Sequence, residues 1–400
     1  MSPGLDGAPP VAPFVPFAYG FRPFFLAAGW YALIAIGVWA LLYSLGVSPF
    51  GSLPPHLWHG HEMLFGFVTA AIAGFMLTAV PSWTGGRGFA GWPLVVLTIL
   101  WLAGRLAFGA AGWIPLPLLA VAELAFLPAL AAVLAPSLSR SASRNRPLLL
   151  VLLALWATDA SFVFALWRGD PVLAGAALRT ALNIVLLLIT VIGGRIVPSF
   201  TSSALRKRGI DVDVRVRRGI ERLVIGGMIA LVVADLIAPH HWVTASIAAA
   251  VAAVHAWRML GWQGMRTIAE PIVWVLHAAY LWLPIGLALK AVHLLSGAGW
   301  AAHWMHALSV GAAAAMILAV MTRAALGHTG RPLTVGRSIA ASYVLLVAAA
   351  IVRVFGPGLL PFAYQWVVGI ASLLWIGAFL IFAIVYTPIL IGPRADGKPG

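Results

Sequence analysis

Eleven histidines carry most of the chemistry available to this 400-residue chain, since cysteine is absent and the acidic residues number only 11. Without thiols there are no disulfides, thiolate metal centres, iron–sulfur clusters, cysteine nucleophile or thioether-linked haem, so any metal is left to His, Met, carboxylate or carbonyl. Imidazole suits copper, zinc and iron, and neutral His is the usual proximal haem ligand. The densest stretch is Trp58-His59-Gly60-His61-Glu62-Met63. On a helix His59 and Glu62 share a face, whereas His59 and His61 are about 200° apart and meet on one ion only if the helix begins between them. His303 and His306 are three apart and share a face, as do His277 and Tyr280. Pro284, one turn further, frees a backbone carbonyl.

The elements that position these residues are set by composition. The chain is 62% hydrophobic and 9% charged, with a mean hydropathy of +0.99. Apolar runs of roughly 20 residues recur from end to end, which excludes a soluble globule and a disordered chain. Cutting at Pro, Gly and charge clusters predicts twelve spans, at about 24–45, 58–80, 92–111, 114–135, 147–167, 171–194, 220–238, 241–260, 271–295, 302–324, 337–355 and 363–388. The first run is too long for a signal-peptide core and lacks a small-residue cleavage pattern, so it reads as a retained span. All twelve are expected to be helices, because a lone strand leaves its backbone unpaired in lipid and barrel alternation is missing.

Basic residues orient the spans. With the N-terminus cytoplasmic, twenty of the 25 Lys and Arg fall on inner segments, including Arg140, Arg144 and Arg146 and the cluster from Arg195 to Arg222. Arg168, Lys290 and Arg353 fall near outer ends, and Arg105 and Arg179 lie within spans. The expected organisation is therefore a cytoplasmic tail 1–16, a twelve-helix membrane domain 17–388 and a cytoplasmic tail 389–400. The net charge of +14 does not imply nucleic acid as a partner, because no aromatic residue interleaves the 206–222 basic run; a loop that enforces topology and touches anionic headgroups accounts for it. This orientation sorts the histidines. His56, His59, His61, His240, His241, His293, His303 and His306 lie toward the outside, and His255, His277 and His328 toward the inside. The inner three reach a similar depth, which would suit copper or zinc, though separate capping and loop roles explain them as well. The remaining intramembrane charges, Arg105, Glu123, Asp159, Arg179 and Asp235, are expected to pair, Arg105 with Glu123 first.

A weak internal repeat adds a relation between helices. From His61, residues Gly66, Met76, Thr84 and Gly85 follow at the same spacings as Gly311, Met321, Thr329 and Gly330 follow His306, and Arg195 in the sixth span aligns with Arg323. Helices two, six and ten differ by four each time, which suggests three similar four-helix blocks. The repeat puts His61 and His306 at equivalent depths.

The strings Gly20-Phe-Arg-Pro-Phe-Phe25, His59-Gly-His-Glu-Met-Leu-Phe-Gly66, Gly193-Gly-Arg-Ile-Val-Pro-Ser-Phe-Thr201 and Val320-Met-Thr-Arg-Ala-Ala-Leu-Gly-His-Thr-Gly-Arg-Pro332 resemble those of the NnrS family, over about residues 17 to 388. That resemblance implies a twelve-span bacterial inner-membrane protein that contains haem and copper and is tied to the nitric oxide response of denitrifying and host-exposed bacteria. Carried over by motif, it points to His59, His61, Glu62, Arg195, His277, His306, Arg323 and His328. The expectation is haem b held by His61, or its neighbour His59, together with His306, and copper toward the cytoplasmic side on His277 and His328 with His255 nearby. Arg195 and Arg323 either clamp haem propionates or snorkel to phosphates. The partners expected are the lipid bilayer and nitric oxide or a related small molecule. Whether the chain is an enzyme stays open, and the rival function is a multi-span permease or metal-trafficking transporter, for which twelve helices and intramembrane charges are equally ordinary.

Reporter fusions after residues 140, 210 and 330 are expected to report cytoplasm, and fusions near residues 51, 239 and 298 periplasm. One firmly reversed loop breaks the twelve-span arrangement and the depth sorting built on it.

Overall fold

A computed structural model describes residues 15–51, 53–140 and 145–398, so Arg144 and most of the N-terminal tail lie outside the described residues. Among the described residues the chain is helical, without a strand. Twelve long helices follow the expected pattern: α1 Phe21–Leu45, α2 Pro55–Thr84, α3 Trp92–Gly109, α4 Leu116–Ser139, α5 Pro147–Arg168, α6 Pro171–Lys207, α7 Arg218–Ile237, α8 Trp242–Leu260, α9 Pro271–Ser296, α10 Gly299–His328, α11 Arg337–Leu359 and α12 Pro361–Ile391. Eleven are long and apolar enough to cross a membrane, which makes the chain a multi-pass membrane protein. The remaining one, α7, has 20 residues but carries Glu221, Arg222 and Asp235.

Proline opens several of these helices at the first turn, where its missing N–H would be unpaired in any case, as at Pro55, Pro147, Pro171 and Pro271. α1 and α5 stop on left-handed glycines, Gly46 and Gly169, a conformation that side chains with a Cβ resist. α4 breaks between Leu124 and Phe126. Pro128 has no N–H to give the Leu124 carbonyl, which takes Trp156 Nε1 at 3.1 Å instead. α6 departs from the expected 171–194. It runs on for 37 residues to Lys207, about 55 Å at 1.5 Å per residue, so Arg195 lies within a continuing helix rather than at its end.

Contacts at the helix ends show alternating direction. Arg22 in the first turn of α1 donates to the carbonyls of Leu390 and Gly392 at the end of α12, both at 2.8 Å. The end of α10 joins the same face, with Arg394 Nη1 on the His328 carbonyl at 2.8 Å and Ala395 N on that of Thr329 at 2.9 Å. The start of α7 meets the end of α8 through Arg215 N and the Gly261 carbonyl at 2.9 Å. At the opposite end, Trp58 of α2 donates to the Phe108 carbonyl of α3, and His303 of α10 meets Arg353 of α11. α2, α6 and α10 line an apolar cavity of about 70 Å³, with Phe25 of α1 on its wall.

One buried ion pair joins three helices. Lys290 of α9 bonds Asp235 of α7, which also accepts from Asn183 Nδ2 of α6 at 2.7 Å, and the Trp304 ring centroid lies 4.7 Å from the Lys290 ammonium. Lys290 is only 1% exposed. Removing one partner strands a charge where no water can reach it, so Asp235→Ala is expected to lower stability by about 3–5 kcal/mol. The double variant Asp235→Leu with Lys290→Met is expected to recover most of that loss. Thermal unfolding of the purified protein in detergent checks both; a neutral single variant would show that the pair holds nothing together.

Candidate functional site

The motif at the start of α2 splits its histidines between two environments. His61 is fully buried, with Nδ1 2.8 Å from Glu62 Oε1 and Nε2 3.1 Å from Asp159 Oδ1 and 3.7 Å from Glu123 Oε1. Arg105 ties the group together, with Nη1 2.5 Å from Glu62 Oε1 and Nη2 on Glu123, and the Tyr31 hydroxyl donates to the other Glu62 oxygen. The expected Arg105–Glu123 pair is therefore present, as part of a larger network spanning α1 to α5. Phe108 stacks on the His61 ring at 3.7 Å, and Phe162 and Phe65 close it off. Both nitrogens of His61 face carboxylates, Glu62 on Nδ1 and Asp159 and Glu123 on Nε2.

His59, the other histidine of the motif, lies outside that network. Its ring stacks on Trp39 of α1 with centroids 4.8 Å apart, and its Nδ1 is buried without a hydrogen-bond partner. His59 and Arg353 lie within electrostatic range of His306, as does His303. The His303 and His306 rings are 6.3 Å apart, and Arg353 Nη1 is 3.1 Å from His303 Nδ1, with Tyr364 bonding the same guanidinium. Arg353 had no motif to mark it; its only sign in the sequence was a charge inside an apolar run.

Both helices change winding at the same point. A π-helical segment begins immediately after His61, at Glu62–Val68, and another immediately after His306, at Ala307–Ala314. Such widened turns cluster at functional sites, because they re-aim side chains and release backbone carbonyls. Here the Gly66 carbonyl inside the first segment accepts Trp101 Nε1 at 3.0 Å. Gly66 and Gly311, equivalent in the repeat, each sit against an aromatic ring, Tyr31 and Trp282, which a Cβ would strike at 2.4 Å.

The inner histidines are not brought together as a ligand set. His277 Nε2 is 2.7 Å from Thr201 Oγ1 of α6, and its ring edge meets Trp262. His255 Nδ1 is 2.8 Å from the Tyr280 hydroxyl, which Arg258 also bonds, and His255 Nε2 is buried and unpaired. His328 lies elsewhere, between the rings of Tyr19 and Phe21 at 5.8 and 5.6 Å. Among the described residues, His61, Glu123 and Asp159 form the group of three whose ligand atoms fall within 4.8 Å of one another. The expected inner trio does not meet that geometry.

Arg195 and Arg323 sit at the far end of the bundle from His59 and His306. Arg323 comes seventeen residues after His306, about 25 Å along α10, beyond the reach of a propionate on a haem ligated at His306. Its guanidinium lies 3.9 Å from the Phe200 ring centroid, and Arg195 Nη1 donates to Asn145 Oδ1 at 3.0 Å. Of the histidines outside the motifs, His56, His240 and His241 are exposed, and His293 Nδ1 is 3.2 Å from the Ala298 carbonyl. No curated protein matches the chain. With its motif histidines divided between a carboxylate network and a His59–His306 cluster, and with family similarity to NnrS protein extending over residues 15–394, the chain belongs to the NnrS family.

Proposed function

We propose that the chain is a twelve-span protein of the bacterial inner membrane, with both termini cytoplasmic, that acts in the response to nitric oxide and holds haem b between His59 and His306. Family membership supports a role in the nitric oxide response. The twelve-span reading is supported by α1 beginning and α12 ending on one face, which an even number of crossings requires. It is supported too by the neutralised charges of α7, where Asp235 meets Lys290 and Glu221 meets Arg258.

The observation that carries the haem assignment is the buried, unpartnered Nδ1 of His59 in range of His306. A buried polar atom without a partner calls for one, and an imidazole whose Nδ1 is held by no neighbour is free to turn its Nε2 to iron. Haem, when bound, supplies a redox-active iron that nitric oxide can ligate. The protein's own part is orientation: Trp39 stacks on the His59 ring, His306 lies immediately before the π segment of α10, and Arg353 places a positive charge near both. Nitric oxide partitions into bilayers, so a site between helices meets it where it concentrates. Copper belongs to this reading through the family resemblance alone. His255, His277 and His328 do not fit it as one ligand set, and no step is assigned to copper there.

Purified protein is expected to show a Soret band that is lost or shifted in His59→Ala and in His306→Ala and is kept in His240→Ala. Cells producing either ligand variant are expected to be as sensitive to nitric oxide as cells lacking the chain. Unchanged spectra in both ligand variants overturn the assignment of His59 and His306 to haem. Colourless wild-type protein that moves a solute into vesicles overturns the haem reading in favour of a permease.

A further inference from the structure

The carboxylate network around His61 carries more charge than its role as a structural tie explains. Glu62, Glu123 and Asp159 are each 4% exposed or less, and the one cation among them is Arg105. Three carboxylates against one guanidinium leave two negative charges uncompensated in a setting walled by phenylalanines. Isolated buried charge of that size does not persist; it is neutralised by protons or by a cation.

The arrangement of atoms is one that a cation fits. A neutral imidazole has one N–H, yet both nitrogens of His61 face carboxylate oxygens, Glu62 on Nδ1 and Asp159 and Glu123 on Nε2. With Nδ1–H donated to Glu62, the Nε2 lone pair points at two anionic oxygens, a contact that is repulsive unless something positive lies between them. The Nε2 separations of 3.1 and 3.7 Å bracket the distance of about 3.4 Å between two ligand atoms across a tetrahedral ion bound at about 2.1 Å. Glu62 on the far nitrogen is the outer carboxylate that metal-bound histidines commonly carry, which fixes the tautomer and raises ligand basicity. Independently, Glu123 Oε2 is buried without a hydrogen-bond partner and lies beside Gly104, where a Cβ would come within 2.5 Å of it. The absent side chain at position 104 leaves that oxygen its place.

We propose that His61 Nε2, Glu123 and Asp159 form a binding site for a divalent transition-metal ion, with Glu62 as the outer partner of His61 and Arg105 as the counter-charge that holds both glutamates in position. One nitrogen and two carboxylate donors suit the borderline to hard divalent ions, and a double positive charge matches the deficit. The site is separate from the His59–His306 cluster although the two begin two residues apart, because His59 and His61 project to different sides of α2.

The test uses the full chain purified in detergent, stripped with chelator and then exposed singly to Zn²⁺, Mn²⁺ or Cu²⁺, with bound metal measured by mass spectrometry after desalting. Wild type is expected to retain one more equivalent of at least one of these ions than Asp159→Asn or Glu123→Gln. Glu62→Gln is expected to weaken that ion's affinity about 10–100-fold without abolishing binding. The favoured ion is expected to raise the thermal midpoint of wild type and leave that of Asp159→Asn unmoved. The Soret band serves as the folding control in each variant and reports separately on the haem reading, since loss of the extra metal with an unchanged haem spectrum belongs to this site alone. Equal metal content in wild type and in both ligand variants overturns the proposal and leaves two retained protons as the charge balance. If one ligand variant fails to accumulate, the other and the midpoint shift decide the matter by the same comparison.

Discussion

Polar groups inside a lipid-embedded bundle have no water to fall back on, and the pairing of the few buried charges constrains how its helices assemble. Arg105 is the clearest case. Its guanidinium reaches Glu62 on α2 and Glu123 on α4 at once, and His61 extends the network to Asp159 on α5. Helices that would otherwise slide over one another in an apolar medium are thereby fixed in depth and rotation. Asp235, Lys290 and Asn183 do the same for α6, α7 and α9, and Arg258 with Glu221, Tyr280 and the Thr190 carbonyl for the other end of that group. Each network lies where an apolar run carries a residue that hydropathy alone would disfavour.

The His59–His306 cluster depends on that rigidity. The network anchors α2 through His61 and Glu62, so the preceding residue pair is held at a set angle, and Trp39 then fixes the His59 ring. The π segment that follows turns the remainder of α2 relative to its first two turns. α10 repeats the device after His306. A widened turn costs hydrogen-bond quality, and its presence at corresponding points of two helices ties the winding to the placement of histidines rather than to a local accident of sequence.

Much of the architecture was legible without coordinates, because one force decided it. Apolar runs of bilayer length can only be helices in lipid, and proline and glycine punctuate their ends, so the positions of the long helices followed from hydropathy with small errors at the boundaries. The extension of α6 to Lys207 escaped this reasoning because hydropathy stops at the membrane surface while helix propensity does not. The pairing of Arg105 with Glu123 was legible for a related reason: charges in an apolar run must meet, and these two lie on neighbouring helices.

The sites were a different matter. Residue types and spacing singled out His59, His61, His277, His306 and His328 from the sequence, but a helical wheel cannot tell which neighbour each face will meet. Packing decided that His61 meets carboxylates from α4 and α5 while His59 stacks on Trp39 of α1, and that His328 settles against Tyr19 and Phe21 while His277 meets Thr201 of α6. Arg353, Trp39 and Tyr31 entered the sites through α11 and α1, helices that carry none of the motif histidines. By itself the sequence determined the medium, the helices and the kinds of donor available, because burial in lipid acts on each segment separately. Which donors share a site was decided by tertiary structure, because that depends on the relative rotation and depth of helices, and those are set by long-range contacts that no single segment encodes.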